Sequence, residues 1–153
     1  MALEIEDKFL VISDDWREEV EETTLISQTY LITTKIITVR TRLETNRNAI
    51  LCVKLRERNG GTPEYEWRMP RFLAKWFSKW STRTLKKQRH RVPLDELTIE
   101  VDEFLGNLTG LVLAEVELPQ AGHQYKKPKW FGKNVTRDKR YKNALLVKFG
   151  LPS

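Results

Sequence analysis

Apolar and polar residues alternate along most of this chain, and an alternation of period 2 marks half-buried β-strands. In the opening stretch Leu3, Ile5 and Phe9 fall on one parity and Glu4, Glu6 and Lys8 on the other. The same pattern predicts strands over residues 3–12, 28–33, 35–44, 49–56, 63–68, 84–92, 97–104 and 109–118. Turn residues separate several of them: Asn59-Gly60-Gly61, Gly106-Asn107, and Pro119 after the last. Three stretches read as helices instead. Residues 13–22 begin with cap-type side chains, with Asp15 and Glu18 at capping-box spacing. Residues 69–80 place Pro70 near a first turn and set Phe72, Leu73, Trp76, Phe77 and Trp80 on one stripe. Residues 136–150 carry Asp138 near the start and Gly150 at the end. No break in composition divides the chain, so one domain spanning 1–153 is expected.

The charged residues follow the strand parity too. Glu4, Glu6 and Lys8 share a face, as do Arg40 with Arg42, Glu64 with Glu66, Lys87 with Arg89 and Arg91, Glu100 with Asp102, and Glu115 with Glu117; Lys54 ends the 49–56 strand. A solvated sheet face gains from mixing signs, because like charges set opposite one another repel. Here some strands are acidic and others basic along one parity. An antiparallel barrel with that parity inward would collect both signs in one lumen. Desolvating so many charges costs too much to serve stability alone. A polyanion with divalent cations would satisfy both sets: bases bind phosphate oxygens, and carboxylates bind hard metal ions.

Composition adds limits. The chain is 40% hydrophobic and 31% charged, as an ordinary globular protein is. A net charge of +6 is compatible with an anionic partner. Cys52 is the single cysteine, which excludes an intrachain disulfide and a Cys-based zinc site and fits a reducing compartment. The acidic N-terminus has no signal-peptide core and no 18-residue apolar run occurs, so a soluble cytoplasmic protein without a membrane span is expected. His90 and His123 stand apart, without metal-ligand spacing.

With these residues in view, Glu4-Ile5-Glu6-Asp7-Lys8 resembles the E-x-E-x-K signature of the CYTH superfamily, the triphosphate tunnel metalloenzymes. SQTYL, VRTRL, CVK, EYEW, KQRHRVP, IEVDEFLGNLTGLVLAEVELP and VTRDKRYKNALL resemble its later motifs in order, over nearly the whole chain. The resemblance implies a mainly β (α+β) fold: an eight-stranded antiparallel β-barrel tunnel with helices packed outside. It implies hydrolysis of a triphosphate with Mg²⁺ or Mn²⁺. Inorganic tripolyphosphate, cleaved to pyrophosphate and phosphate, is the first choice, since that activity needs the charged tunnel alone. By motif, Glu4, Glu6 and Glu117 are expected to hold metal. Lys8, Arg40, Arg42, Lys54, Lys87 and Arg89 are expected to hold the triphosphate, and Glu64, Glu66, Glu100, Asp102 and Glu115 to complete an acidic wall. Glu115 or Lys87 is expected to help activate water, alongside the metal.

The alternatives are an adenylate cyclase or a thiamine triphosphatase of the same fold, or a non-catalytic polyphosphate or nucleotide binder. Cyclases of this family tend to carry a His-Phe pair just ahead of E-x-E-x-K, and Met1-Ala2-Leu3 supply none. The five tryptophans leave a thiamine platform open. The intact acidic pairs at 4/6 and 115/117 argue against a binder without metal. His90 departs from the aromatic residue many relatives carry there. The basic, aromatic segment 70–91 reads first as an external helix packing its stripe on the barrel, and second as a surface for RNA or anionic lipid. Monomer and homodimer both remain compatible with the sequence.

Overall fold

The computed structural model describes residues 5–58 and 62–153. Glu4 and the Asn59-Gly60-Gly61 turn lie outside them. Nine strands and two α-helices follow in the order β1 (Glu6–Val11), β2 (Glu22–Thr33), β3 (Ile37–Glu44), β4 (Ala49–Leu55), β5 (Glu64–Met69), α1 (Arg71–Trp80), β6 (Thr84–Leu94), β7 (Leu97–Phe104), β8 (Val112–Glu117), β9 (Phe131–Asn134) and α2 (Asn143–Phe149). All pairings are antiparallel, and the strands form one sheet ordered β5-β4-β3-β2-β6-β7-β8-β1-β9.

The expected mainly β, antiparallel architecture with helices is present, with nine strands in place of the expected eight. Among the described residues no ladder joins β5 to β9, and closure into a barrel is not detected. The extra strand explains part of this: β9 occupies the edge of β1 that faces away from β8. Gly132 permits the approach, because a Cβ there would meet Ile12 Cγ2 at 2.5 Å. The sheet nonetheless curls. Its concave face encloses a cavity of about 1390 Å³ lined by residues of β1 through β8 and α2.

Two apolar clusters hold this curl. On the convex face Trp16 packs with Val92, Ile99, Val101, Ala114, Val116 and Trp130. On the concave face Leu85, Phe104, Leu113, Val135 and Leu146 seal one end of the hollow, with Leu10 against them. The sealing residues share the parity of the charged ones, so each inner strand face grades from apolar to ionic along its length. Burying a side chain of this size contributes about 1.5–3 kcal/mol.

The first and last predicted helices shift most. Residues 13–22 hold only a 3-10 turn at Asp15–Glu19 with no side-chain cap, and β2 already begins at Glu22. Thr23, Thr24 and Ile26 are β-branched and suit a strand. The C-terminal helix begins at Asn143, because Lys142 is extended (ψ 135°) after a 3-10 turn in which Asp138 accepts from Arg140 N. Helix α1 begins two residues later than expected and ends at the expected Trp80, but it does not have the expected orientation. It seats Ala74 on the sheet, 1% exposed, while Phe72, Trp76 and Trp80 stand 70%, 56% and 68% exposed. Arg71 fixes this rotation by donating to the carbonyls of Glu44 and Arg47 in the β3–β4 turn. Phe72, Trp76 and Trp80 do not pack on the sheet, and of the aromatic stripe only Phe77 is half-buried.

Candidate active site

The parity argument has its physical counterpart in the registers. Opposite Glu6 on β1 lies Glu117 on β8, opposite Lys8 lies Glu115, and opposite Glu100 on β7 lies Glu115 again. Arg89 on β6 faces Asp102, and Lys54 on β4 faces Glu64 on β5. Glu6, Lys8, Arg40, Arg42, Lys54, Glu66, Arg89, Glu100, Glu115 and Glu117 all line the cavity. Glu64 lies just behind, accepting from Arg40 Nη2 at 3.4 Å and Cys52 Sγ at 3.0 Å. Of the expected site residues, Glu4 alone lies outside the described part.

Lys87 and Asp102 are placed differently from the rest. Both are fully buried, 2.5 Å apart, and neither lines the cavity. Arg89 joins them, with Nε 2.7 Å and Nη2 2.8 Å from the two oxygens of Asp102, a forked pairing that fixes the guanidinium plane. Arg89 also meets Glu100, and its Nη2 lies 3.6 Å from Glu115. Burial pushes Lys87 below its ordinary value, and Arg89 adds to the effect. Burial works to raise Asp102, but the charges of Lys87 and Arg89 prevail and hold it at about 2. Glu115 follows the same balance: burial and Asp102 raise it, and Lys87, Lys8 and Arg89 together bring it below the usual range. Lys8, 3.1 Å from Glu115 and 3.8 Å from Glu6, is raised despite its burial.

Across the hollow, burial works to raise Glu64, but Cys52, Arg40 and Lys54 hold it at about 2. Cys52 is buried and pushed up to about 11 by desolvation. Its thiolate is the alkylatable form, so iodoacetamide is expected to modify the folded protein at least roughly 100-fold more slowly than the urea-unfolded chain, as mass spectrometry would record.

The structure adds cations that strand parity could not supply. Arg47, Arg56, Lys139 and Lys142 line the cavity from turns and from the approach to α2, and Arg71 from the first turn of α1. Thirteen lysines and arginines and six glutamates line it altogether, so its field is positive. Lys142 registers that field: burial lowers it first, and Lys54, Lys139, Arg56 and Lys8 lower it further. Arg47, Arg71, Lys139 and Lys142 lie outside the expected strands, and for Lys139 and Lys142 the signal in the sequence is only the density of bases around KRYK. His90, by contrast, sits on the convex face. Its ring lies against Trp16 (5.0 Å between centroids), with Nδ1 2.8 Å from Thr23 Oγ1 and Nε2 2.7 Å from Glu103, which Arg17 also clamps. It is a packing residue there.

The acids fit a divalent cation. Glu6 and Glu117 are like charges set directly opposite on an inner face, a pairing that repels unless something cationic lies between. Glu100 is raised by burial and then by the nearby charges of Asp102 and Glu115, against the opposing pull of Arg89. An all-oxygen donor set of this kind suits Mg²⁺ or Mn²⁺. Cys52, Glu64 and Glu66 also converge, but Arg40, Arg42 and Lys54 already pair with those carboxylates.

Comparison with known proteins agrees with this geometry. The CYTH domain model matches residues 2–147. The chain is 37% identical over 150 residues to an inorganic triphosphatase of Acetivibrio thermocellus, covering 97% of this chain and 95% of that one. It is 35% identical over 94 residues to an inorganic triphosphatase of Nitrosomonas europaea, covering 58% and 62%. The crystal structure of the inorganic triphosphatase NE1496 superposes with a TM-score of 0.70 at 32% identity, covering 96% and 95%. The PH1012 protein of Pyrococcus horikoshii shares the fold at a TM-score of 0.58 and 19% identity, covering 78% of this chain and 80% of that one. With its inner-facing acids and bases and a family match over nearly its full length, the chain belongs to the CYTH domain family.

Proposed function

We propose that this protein is an inorganic triphosphatase, hydrolysing tripolyphosphate to pyrophosphate and phosphate inside the curled sheet, and that the hollow acts as the family's tunnel. The observation that carries the reading is the excess of cations around a cavity that also holds facing carboxylates. A small, highly charged anion suits it, because lysines and arginines outnumber the glutamates around the lining. The two triphosphatase relatives support the substrate.

Lys8, Arg40, Arg42, Lys54 and Arg89 bind the phosphate oxygens, and Lys142, Lys139 and Arg56 extend the cradle toward α2. Glu6 and Glu117, with Glu4 of the same motif, would hold Mg²⁺ or Mn²⁺. When bound, the ion neutralises phosphate charge. Glu115 faces the cavity and Lys87 does not, so Glu115 is assigned as the acceptor of the proton from attacking water. Lys87 and Asp102 are positioning residues: the pair holds Arg89 in one orientation, which lowers the reorganisation needed as charge develops on the transferred phosphoryl group.

The test is phosphate release from tripolyphosphate, thiamine triphosphate and ATP, with Mg²⁺ or Mn²⁺ present. Tripolyphosphate is expected to be hydrolysed fastest by a wide margin. A preference for ATP or thiamine triphosphate would move the assignment to another substrate of the same chemistry.

A further inference from the structure

Helix α1 turns its apolar side away from the molecule. At 100° per residue, Phe72, Leu73, Trp76, Phe77 and Trp80 cover an arc of roughly 140°, and Ala74 and Ser78 lie on the far side of the wheel. Ala74 is the buried one; the indoles of Trp76 and Trp80 and the ring of Phe72 face outward. Covering this stripe would bury apolar area that the fold itself leaves wet, and an exposed cluster of that kind marks a contact surface.

The lysines say what kind. Lys75 and Lys79 flank the stripe, and with Lys86 of β6, Ser27 and Ser78 they line a depression of about 400 Å³ between the helix and the sheet. No carboxylate lines it, and among the described residues none of these three lysines forms an ion pair. Leu25 and Leu43 complete the lining, and Ser27 Oγ and Ser78 Oγ lie 3.4 Å apart, so the hollow offers three ammonium groups beside an apolar floor, a combination that suits an anionic amphiphile. The arrangement adds to this: Phe72, Trp76 and Trp80 are exposed on the helix, and the lysines line the depression between the helix and the sheet. A bilayer offers a partner to both, with an acyl boundary that takes Trp and Phe and a phosphate layer above it that takes Lys. A second copy of the chain would bring the same cations face to face across a two-fold interface.

We propose that α1 and the lysine cluster dock this protein on a membrane surface bearing anionic phospholipids. The catalytic cavity is on the opposite face of the sheet, so the docked protein keeps its site open to solvent. The inference stands independently of the substrate assignment.

The experiment is sedimentation of the full chain with vesicles of phosphatidylcholine alone, or of phosphatidylcholine and phosphatidylglycerol in equal parts. Binding is expected to the anionic vesicles only, with tryptophan fluorescence quenched by brominated acyl chains. The double variants Trp76→Ser/Trp80→Ser and Lys75→Glu/Lys79→Glu are each expected to lower the bound fraction at least about tenfold, while solution hydrolysis of tripolyphosphate is unchanged. Three results would overturn the proposal: no binding to anionic vesicles, binding that both variants retain, or displacement of the wild-type protein from vesicles by single-stranded RNA. A wild-type dimer in sedimentation velocity that dissociates in Trp76→Ser/Trp80→Ser would also overturn it, by assigning the stripe to self-association.

Discussion

Asp102→Ala is expected to destabilise the fold by about 3–5 kcal/mol, since it leaves Lys87 with its charge fully buried and unpaired. For a chain of this size that is a fall of about 6–20 °C in Tm, measurable by circular dichroism. The sign with pH follows from the depressed carboxyl. Folding lowers Asp102 from 3.8 to about 2, so its contribution is present above about pH 4 and is lost as pH falls through 2. The wild type is expected to lose stability across that window, and Asp102→Asn to show a flatter profile there. The double variant Lys87→Met/Asp102→Leu separates the two roles of the pair. Replacing a buried ion pair by apolar side chains is often neutral or stabilising, so stability is expected to recover. Activity is not expected to recover, because Arg89 loses the fork that orients it. Recovery of both would show that Lys87 and Asp102 serve the fold alone.

The placement of this pair was only partly legible in the sequence. Parity told that Lys87 and Asp102 point inward, as it told for Arg40, Glu66 and Glu115, because alternation along a strand is a property of the chain alone. Depth is not. The cue lay in Leu85, Phe104 and Leu113, apolar residues on the charged parity that seal one end of the hollow and bury what lies next to them. Ring closure was equally out of reach, since it depends on which edges meet; β9 is four residues long, contains a glycine, and shows no alternation to read. Turn-borne cations such as Arg47 and Lys142 carry no parity, and only folding brings them to the cavity. For α1 the spacing identified which side is apolar but not what that side faces. Arg71 and Ala74, the residues that decide it, look unremarkable in the sequence.

Glu6→Gln and Glu117→Gln are each expected to lower kcat/KM by about 10²–10³, with circular dichroism unchanged. The two carboxylates stand directly opposite on β1 and β8, and among the described residues no cation lies within ion-pair distance of Glu117. Lys8 approaches Glu6 at 3.8 Å but is held closer to Glu115, at 3.1 Å. Like charges set directly opposite repel across the ladder, at a cost of up to about 1 kcal/mol. Glutamine keeps the shape and removes that repulsion. Thermal stability is accordingly expected to hold or rise slightly, while the Mn²⁺ concentration needed for half-maximal activity rises and calorimetric Mn²⁺ binding weakens. Opposite movement of stability and metal affinity is what a metal site built from like charges requires, because the same repulsion that strains the apo sheet is what a divalent cation relieves. A variant that kept full activity at limiting Mn²⁺ would move the metal to other acids of the cavity, with Glu100 and Glu115, also directly opposite each other, the next pair to replace.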